Sequence, residues 1–100
     1  MEKGADINAQ DDSNMNSIFM LASQNGHLNI VKFLIEKGAK IDLQNRDKNS
    51  AFILASQNGH FEIVNLLIEY GYDVNLQNKD ESTALMLASQ NGHFDVVKVL

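Results

Sequence analysis

The hexapeptide Ala22-Ser-Gln-Asn-Gly-His27 recurs as Ala55-Ser-Gln-Asn-Gly-His60 and again as Ala88-Ser-Gln-Asn-Gly-His93, with a spacing of 33 residues both times. A period between about 20 and 50 residues marks a stack of repeated units. Each unit of such a stack exposes an apolar face alone and buries it against a neighbour, so about three or more are needed for stability. A stack has no single globular core, and it more often offers a surface to another protein than a pocket for chemistry.

Aligned on the hexapeptide, each unit reads as two helices. Ser17, Ser50 and Thr83 suit an N-cap, because a hydroxyl can accept a hydrogen bond from an orphan amide of the first turn. The first helix ends at Asn25-Gly26, Asn58-Gly59 and Asn91-Gly92, where glycine tolerates the left-handed conformation that closes a helix. A second helix follows. Its apolar residues fall at helical spacing: Ile30, Val31, Leu34 and Ile35, then Ile63, Val64, Leu67 and Ile68, then Val96, Val97 and Leu100. Gly38 and Gly71 end it. The polar stretches 44–49 and 77–82 suit projecting hairpin loops. Ala22, Ala55 and Ala88 are small enough to let neighbouring first helices approach to roughly 8–10 Å.

These residues resemble the ankyrin repeat over nearly the whole chain. The Gly-His pair, the apolar second helix, the Gly-Ala or Gly-Tyr that follows it and the Ile/Val-Asn/Asp segment all fit that family. The resemblance implies an all-α solenoid of helix-turn-helix units with projecting hairpin loops. Two features depart from the family pattern. Its Thr-Pro-Leu-His turn is replaced by Ser17-Ile-Phe-Met20, Ser50-Ala-Phe-Ile53 and Thr83-Ala-Leu-Met86, which predicts looser helix starts. Proline at the first helical position is favourable but not required. The hairpin-tip glycine is replaced by Met15, Lys48 and Glu81, which predicts a different turn at the tips.

The domain organisation follows from the phase. Residues 1–10 read as the tail of a preceding unit, because Glu2-Lys-Gly-Ala-Asp-Ile-Asn8 matches Glu36-Lys-Gly-Ala-Lys-Ile-Asp42. Residues 11–43 and 44–76 are two units, and 77–100 begin a third in which Leu100 falls inside the second helix. Gly4 to Gly38 spans 34 residues against 33 from Gly38 to Gly71, so one residue is inserted around 11–16. Neither end carries the polar outer face of a capping unit. The chain is expected to be a fragment of a longer array, marginally stable by itself or self-associating through its uncapped ends.

Composition narrows the function classes. The net charge is −5 and no basic cluster is present, a poor match to phosphate backbones or anionic lipid. Neither a nucleic-acid nor a membrane partner is expected. No apolar run approaches the roughly 20 residues of a bilayer span, and Met1-Glu-Lys-Gly4 opens no signal peptide. The chain has no cysteine, so disulfides and thiolate metal sites are excluded; this fits a reducing, intracellular and cytoplasmic setting.

His27, His60 and His93 could be metal ligands or bases, or structural residues opening the second helix. Equal phase in successive units separates them by about one helix spacing, roughly 8–10 Å, whereas a metal needs each nitrogen within roughly 2.0–2.1 Å of one centre. The structural reading is favoured. Asp11-Asp12 and Asp80-Glu81 lie in solvated loops, without the cleft that separates the pKa values of an acid/base pair. No catalytic set, metal site or cofactor is expected.

In the ankyrin family the hairpin tips and the first helices form a concave face that holds partners. Carried over by position, the resemblance implies a face containing Ser13, Asn14 and Asn16, then Arg46, Asp47 and Asn49, then Lys79, Asp80 and Ser82. Gln24, Gln57 and Gln90, each followed by asparagine, join it, as do Met20, Ile53 and Met86 if they are exposed. The tips differ between units while the helices barely change. That contrast reads either as recognition or as drift in loops, which tolerate change. The Gln-Asn ladder reads either as a hydrogen-bonding surface for an extended peptide or as a solvated face in which asparagine fixes the helix end. Tyr72 replaces the common alanine and is a candidate anchor, tyrosine being enriched at binding hot spots. Asp73-Val74-Asn75, with Leu67 eight residues earlier, resembles a segment whose asparagine is hydroxylated in some ankyrin proteins. The expected function is a non-enzymatic protein–protein interaction module that binds a partner protein. The alternative is the substrate- or host-targeting segment of a larger enzyme or effector whose activity lies elsewhere, and a third reading is a structural spacer.

Overall fold

The computed structural model describes residues 6–100. Six helices follow in pairs: α1 (Ile18–Gln24) and α2 (Leu28–Glu36), α3 (Ala51–Gln57) and α4 (Phe61–Glu69), α5 (Ala84–Gln90) and α6 (Phe94–Val99). Among the described residues there is no strand, only single β-bridges Gln10–Ser17 and Gln44–Ser50 at the bases of two hairpins. The first helices α1, α3 and α5 form one layer and the second helices a second layer, in a stack 40 Å long and 25 × 21 Å across. This is the all-α solenoid that the repeat period predicts. Of the segment 1–10, residues 1–5 lie outside the described residues; Asn8 and Gln10 bond forward to the Lys40 amide and the Gln44 carbonyl.

The helix starts are held, not loose. Ser17, Ser50 and Thr83 sit in extended backbone and accept hydrogen bonds from the amides of Met20, Ile53 and Met86 at 3.2–3.3 Å. Each hydroxyl thereby satisfies an orphan first-turn donor without the missing proline. The Asn-Gly pairs end the first helices as the sequence suggests. The asparagines occupy the C-cap and Gly26, Gly59 and Gly92 take positive φ of 74–78°. Asn25 and Asn58 also donate to the carbonyls of Leu21 and Leu54, which supports the reading of asparagine as fixing the helix end. α6 stops at Val99, and Leu100 takes the C-cap position.

The core lies between the layers and between units. Phe19, Met20, Phe52, Ile53, Ile63 and Leu67 are all within 1% of full burial. Ala22, Ala55 and Ala88 are buried where the first helices meet, as their size predicts. Position in the stack decides the exposure of equivalent residues. Ile63 and Val96 are buried, but Ile30, at the same phase in the first helix pair, is 47% exposed, since no helix among the described residues lies over it. Likewise Met20 and Ile53 are 1% exposed and Met86 is 55% exposed. Of the three apolar positions considered for the concave face, only Met86 is therefore on the surface.

Candidate functional site

The hairpin tips share one framework built on a single polar side chain. Asn45 Oδ1 accepts from the amides of Asp47 and Asn49, both at 3.0 Å. Asn78 Oδ1 does the same for Asp80 and Ser82 at 2.9 and 3.0 Å. Asp11 holds the first tip, accepting from Asn14 and Asn16. A short polar side chain that mimics a backbone turn in this way is the usual means by which Asn and Asp fix loops. Asn45 is only 7% exposed. Sequence reasoning passed over Asn45 and Asn78, although each follows a glutamine at the repeat spacing and was visible as a recurring pair. The first tip closes over one more residue, Asp11 to Asn16 against Asn45 to Asn49, which locates the inserted residue in the loop.

The amides that hold Asp11 also set its charge. The backbone N–H of Asn14, the largest influence, holds the carboxyl below its ordinary value of 3.8. Slight desolvation opposes this, while Asn16, Ser13 and Met15 add to it.

Met15, Lys48 and Glu81 have φ of 61°, 58° and 64°. The tips thus keep one left-handed turn in spite of the missing glycine, and the expectation of a different turn is corrected. The physical reason is the bonding around them: Lys48 and Glu81 donate to Asn45 and Asn78 carbonyls while Asn45 and Asn78 donate to Asn49 and Ser82 carbonyls. These bonds outweigh a left-handed penalty of about 1–2 kcal/mol.

Successive tips are strapped together. The Arg46 amide donates to the Asn14 carbonyl at 3.0 Å and the Lys79 amide to the Asp47 carbonyl at 2.8 Å. Asn45 Nδ2 donates to Asn16 Oδ1 at 2.9 Å, and Asn78 Nδ2 to Asn49 Oδ1 at 3.0 Å. Asn16 and Asn49 therefore hold neighbouring tips. The Arg46 guanidinium donates to the Ser13 and Asp12 carbonyls at 3.2 and 3.0 Å. It acts as a clamp on the preceding loop, a role hidden in the sequence because its acceptors are backbone atoms 33 and 34 residues away.

Tyr72 is the clearest correction. It is 9% exposed and stacks on Phe52, with ring centroids 4.8 Å apart and planes at 21°. It packs inward against the first helix of its own unit instead of standing on the surface, and its buried hydroxyl has no hydrogen-bond partner among the described residues. Burial, the largest influence, raises its phenol above the ordinary value of 10. The nearby Ser50 hydroxyl opposes that shift without meeting hydrogen-bond geometry, and Asp42 and Asp73 add to the rise.

The remaining candidates keep free side chains. Asp47, Lys79 and Asp80 are exposed and make no side-chain hydrogen bond among the described residues; Asn14 and Ser82 are half-buried and likewise unbonded through their side chains. Gln24 and Gln57 are half-buried and Gln90 is exposed. Of this ladder it is the main-chain carbonyls of Gln24 and Gln57 that are engaged, by histidine. Asn75 is exposed, while Leu67 is fully buried.

Two of the three histidines bridge units. His60 Nε2 lies 2.9 Å from the Gln24 carbonyl and His93 Nε2 2.9 Å from the Gln57 carbonyl. None of the three caps its own helix through its side chain. No group of His, Cys, Asp or Glu that could hold a metal occurs among the described residues. No helix among them is long and apolar enough to cross a membrane.

A family model described as ankyrin repeats (3 copies) matches residues 1–78 and again residues 19–100. No curated protein matches the chain significantly. The repeat phase, the two helical layers and the strapped hairpins agree with that match over the full length, and the chain belongs to the ankyrin-repeat family.

Proposed function

We propose that this chain is a non-enzymatic protein–protein interaction module that holds its partner on the hairpin tips and the adjoining first-helix face. Protein binding is the general role of ankyrin repeats. The observation that supports this particular surface is the division of labour at the tips. Asn16, Asn45, Arg46, Asn49 and Asn78 fix the loops to one another, and Asp47, Lys79 and Asp80 project from that frame unbonded. A surface already ordered before binding loses little conformational entropy on contact. The partner would meet alternating acid, base and acid along the tips, with Asn14, Ser82 and the glutamines Gln24, Gln57 and Gln90 as adaptable polar contacts.

The test is a comparison of the native chain with a triple Asp47→Ala, Lys79→Ala, Asp80→Ala variant in pulldown, with chemical cross-links mapped on the retained protein. Equal helicity, retention by the native chain only, and cross-links at the tips support the reading. Equal retention by both chains moves the contact off the tips.

A further inference from the structure

We propose that Asn25-Gly26 and Asn58-Gly59 are latent sites of self-modification, held unreactive while neighbouring units are closed on each other and released when a junction opens.

The chemistry lies in the dipeptide. Glycine has no Cβ, so its backbone nitrogen is free to attack Cγ of the preceding asparagine. That nitrogen gives up its proton and forms the N–Cγ bond, the Cγ–Nδ2 bond breaks, and ammonia leaves. The product is a five-membered cyclic imide. Water then adds to either imide carbonyl. Opening at Cγ gives aspartate, and opening at the backbone carbon gives isoaspartate, in which the main chain runs through Cβ and Cγ. No oxidant or reductant takes part. Asn25 and Asn58 are both exposed, so water reaches them.

The closed fold denies the geometry of attack. Ring closure needs Cβ and the next backbone nitrogen on the same side of the Cα–C bond. At Asn25 and Asn58 ψ is 1° and 4°, which sets the glycine nitrogen in line with the asparagine's own nitrogen instead. The attacking group is also engaged. The Gly26 amide donates to the Ser23 carbonyl at 3.3 Å, and the Gly59 amide to the Ser56 carbonyl at 3.2 Å. The group under attack is turned back along its own helix: Asn25 Nδ2 donates to the Leu21 carbonyl at 3.0 Å, and Asn58 Nδ2 to the Leu54 carbonyl at 2.8 Å.

The lock comes from the following unit. A methyl group on Gly26 would come 2.6 Å from the His60 ring, and one on Gly59 would come 2.5 Å from His93 Nδ1. The same two imidazoles lie 2.9 Å from the carbonyls of Gln24 and Gln57, the residues just before the asparagines. Each histidine therefore grips both sides of an Asn-Gly pair, and the ψ rotation that ring closure needs waits on its release. Reaction at Asn25 reports opening between the first and second units, and reaction at Asn58 opening between the second and third. The product does not restore the stop. Either acid lacks the Nδ2 donor and adds negative charge at a helix C-terminus, where the helix dipole is already negative. Isoaspartate also puts an extra carbon into the main chain beneath the histidine. Each opening that leads to reaction is thus recorded irreversibly.

The test incubates the folded chain, the chain unfolded in urea and the free peptide Ala-Ser-Gln-Asn-Gly-His at neutral pH. Peptide mapping by mass spectrometry follows aspartate and isoaspartate at each asparagine. The free peptide and the unfolded chain should react alike. In the folded chain Asn25 and Asn58 should react at least about tenfold more slowly, the factor set by a local opening free energy of about 1.4 kcal/mol. His60→Ala should speed reaction at Asn25 alone, and His93→Ala at Asn58 alone, with helicity unchanged. His60→Gln and His93→Gln replace either variant that loses helicity. Three results would overturn the proposal. Equal rates in the folded and unfolded chains would mean that the fold withholds nothing. A helical variant whose own site does not accelerate would mean that the histidine is no lock, and a slower site would make the imidazole a base for the reaction. Acceleration at both sites in either variant would mean that the junctions do not open separately.

Discussion

The imidazole of His93 rests directly on Gly59, so closely that a methyl group at that glycine would come within 2.5 Å of Nδ1. Gly59 and Gly92 both hold a left-handed backbone, at φ of 78° and 74°, but only Gly59 lies under a histidine. Alanine at Gly92 should therefore cost the left-handed penalty alone, about 1–2 kcal/mol. Alanine at Gly59 should cost about 1–3 kcal/mol more, the usual range for overpacking. Urea unfolding of dilute protein measures both, and equal losses would mean that His93 moves aside freely.

Lys48 and Glu81 hold a conformation that suits glycine. Lys48→Gly and Glu81→Gly should each raise stability by up to about 1 kcal/mol, the relief of left-handed strain less the extra freedom glycine has when unfolded. A rise in melting temperature without change in helicity is the expected reading; a fall would show that the turn carries no strain at these residues.

Asn78 ties its own tip and the preceding one through three hydrogen bonds. Asn78→Ala leaves the Asp80 and Ser82 amides and Asn49 Oδ1 without that partner. The expected loss is about 1–3 kcal/mol. Faster hydrogen exchange at the Lys79 amide, which bonds the Asp47 carbonyl, would place the damage at the strap between tips. An unchanged exchange rate there would argue that the strap holds without Asn78.

Tyr72 carries a buried hydroxyl with no partner among the described residues. Tyr72→Phe keeps the ring on Phe52 and removes the orphan group, so stability near neutral pH should stay level or rise by about 1 kcal/mol. The native protein has a further signature. Its folded phenol titrates above 10, so above that value the unfolded chain loses this proton first. Stability contributed by the neutral phenol is fully present below pH 10 and is lost as pH rises from there through the raised folded value. Stability measured against pH should fall less steeply in the phenylalanine variant, and parallel curves would assign the alkaline loss to other groups.

Leu34 and Leu67 are 2% and 0% exposed between the layers. Leu67→Ala should cost about 2–5 kcal/mol through lost burial and the cavity left behind. Asp47→Ala, on an exposed tip, should leave thermal unfolding within about 0.5 kcal/mol of native. The contrast separates residues that hold the stack from residues free to bind.

The sequence by itself determined the repeat, its phase, the two helices of each unit, the hydroxyl caps and the glycine stops. These are local matters: a cap needs an oxygen three residues from an amide, and a helix stop needs a left-handed residue, both readable within a few positions. The inserted residue at 11–16 was legible for the same reason, as a shift of phase. What only the tertiary structure decided were contacts made across about one repeat. Arg46 reaches backbone carbonyls of the previous loop, and His60 and His93 sit on glycines of the previous unit; within its own unit, Tyr72 turns inward onto Phe52 of the first helix. Met20 and Met86 occupy one phase of one repeat, yet one is buried and the other is open. In a solenoid the environment of a side chain is set by whether a neighbouring unit lies over it, and that neighbour is absent from the residue's own local pattern.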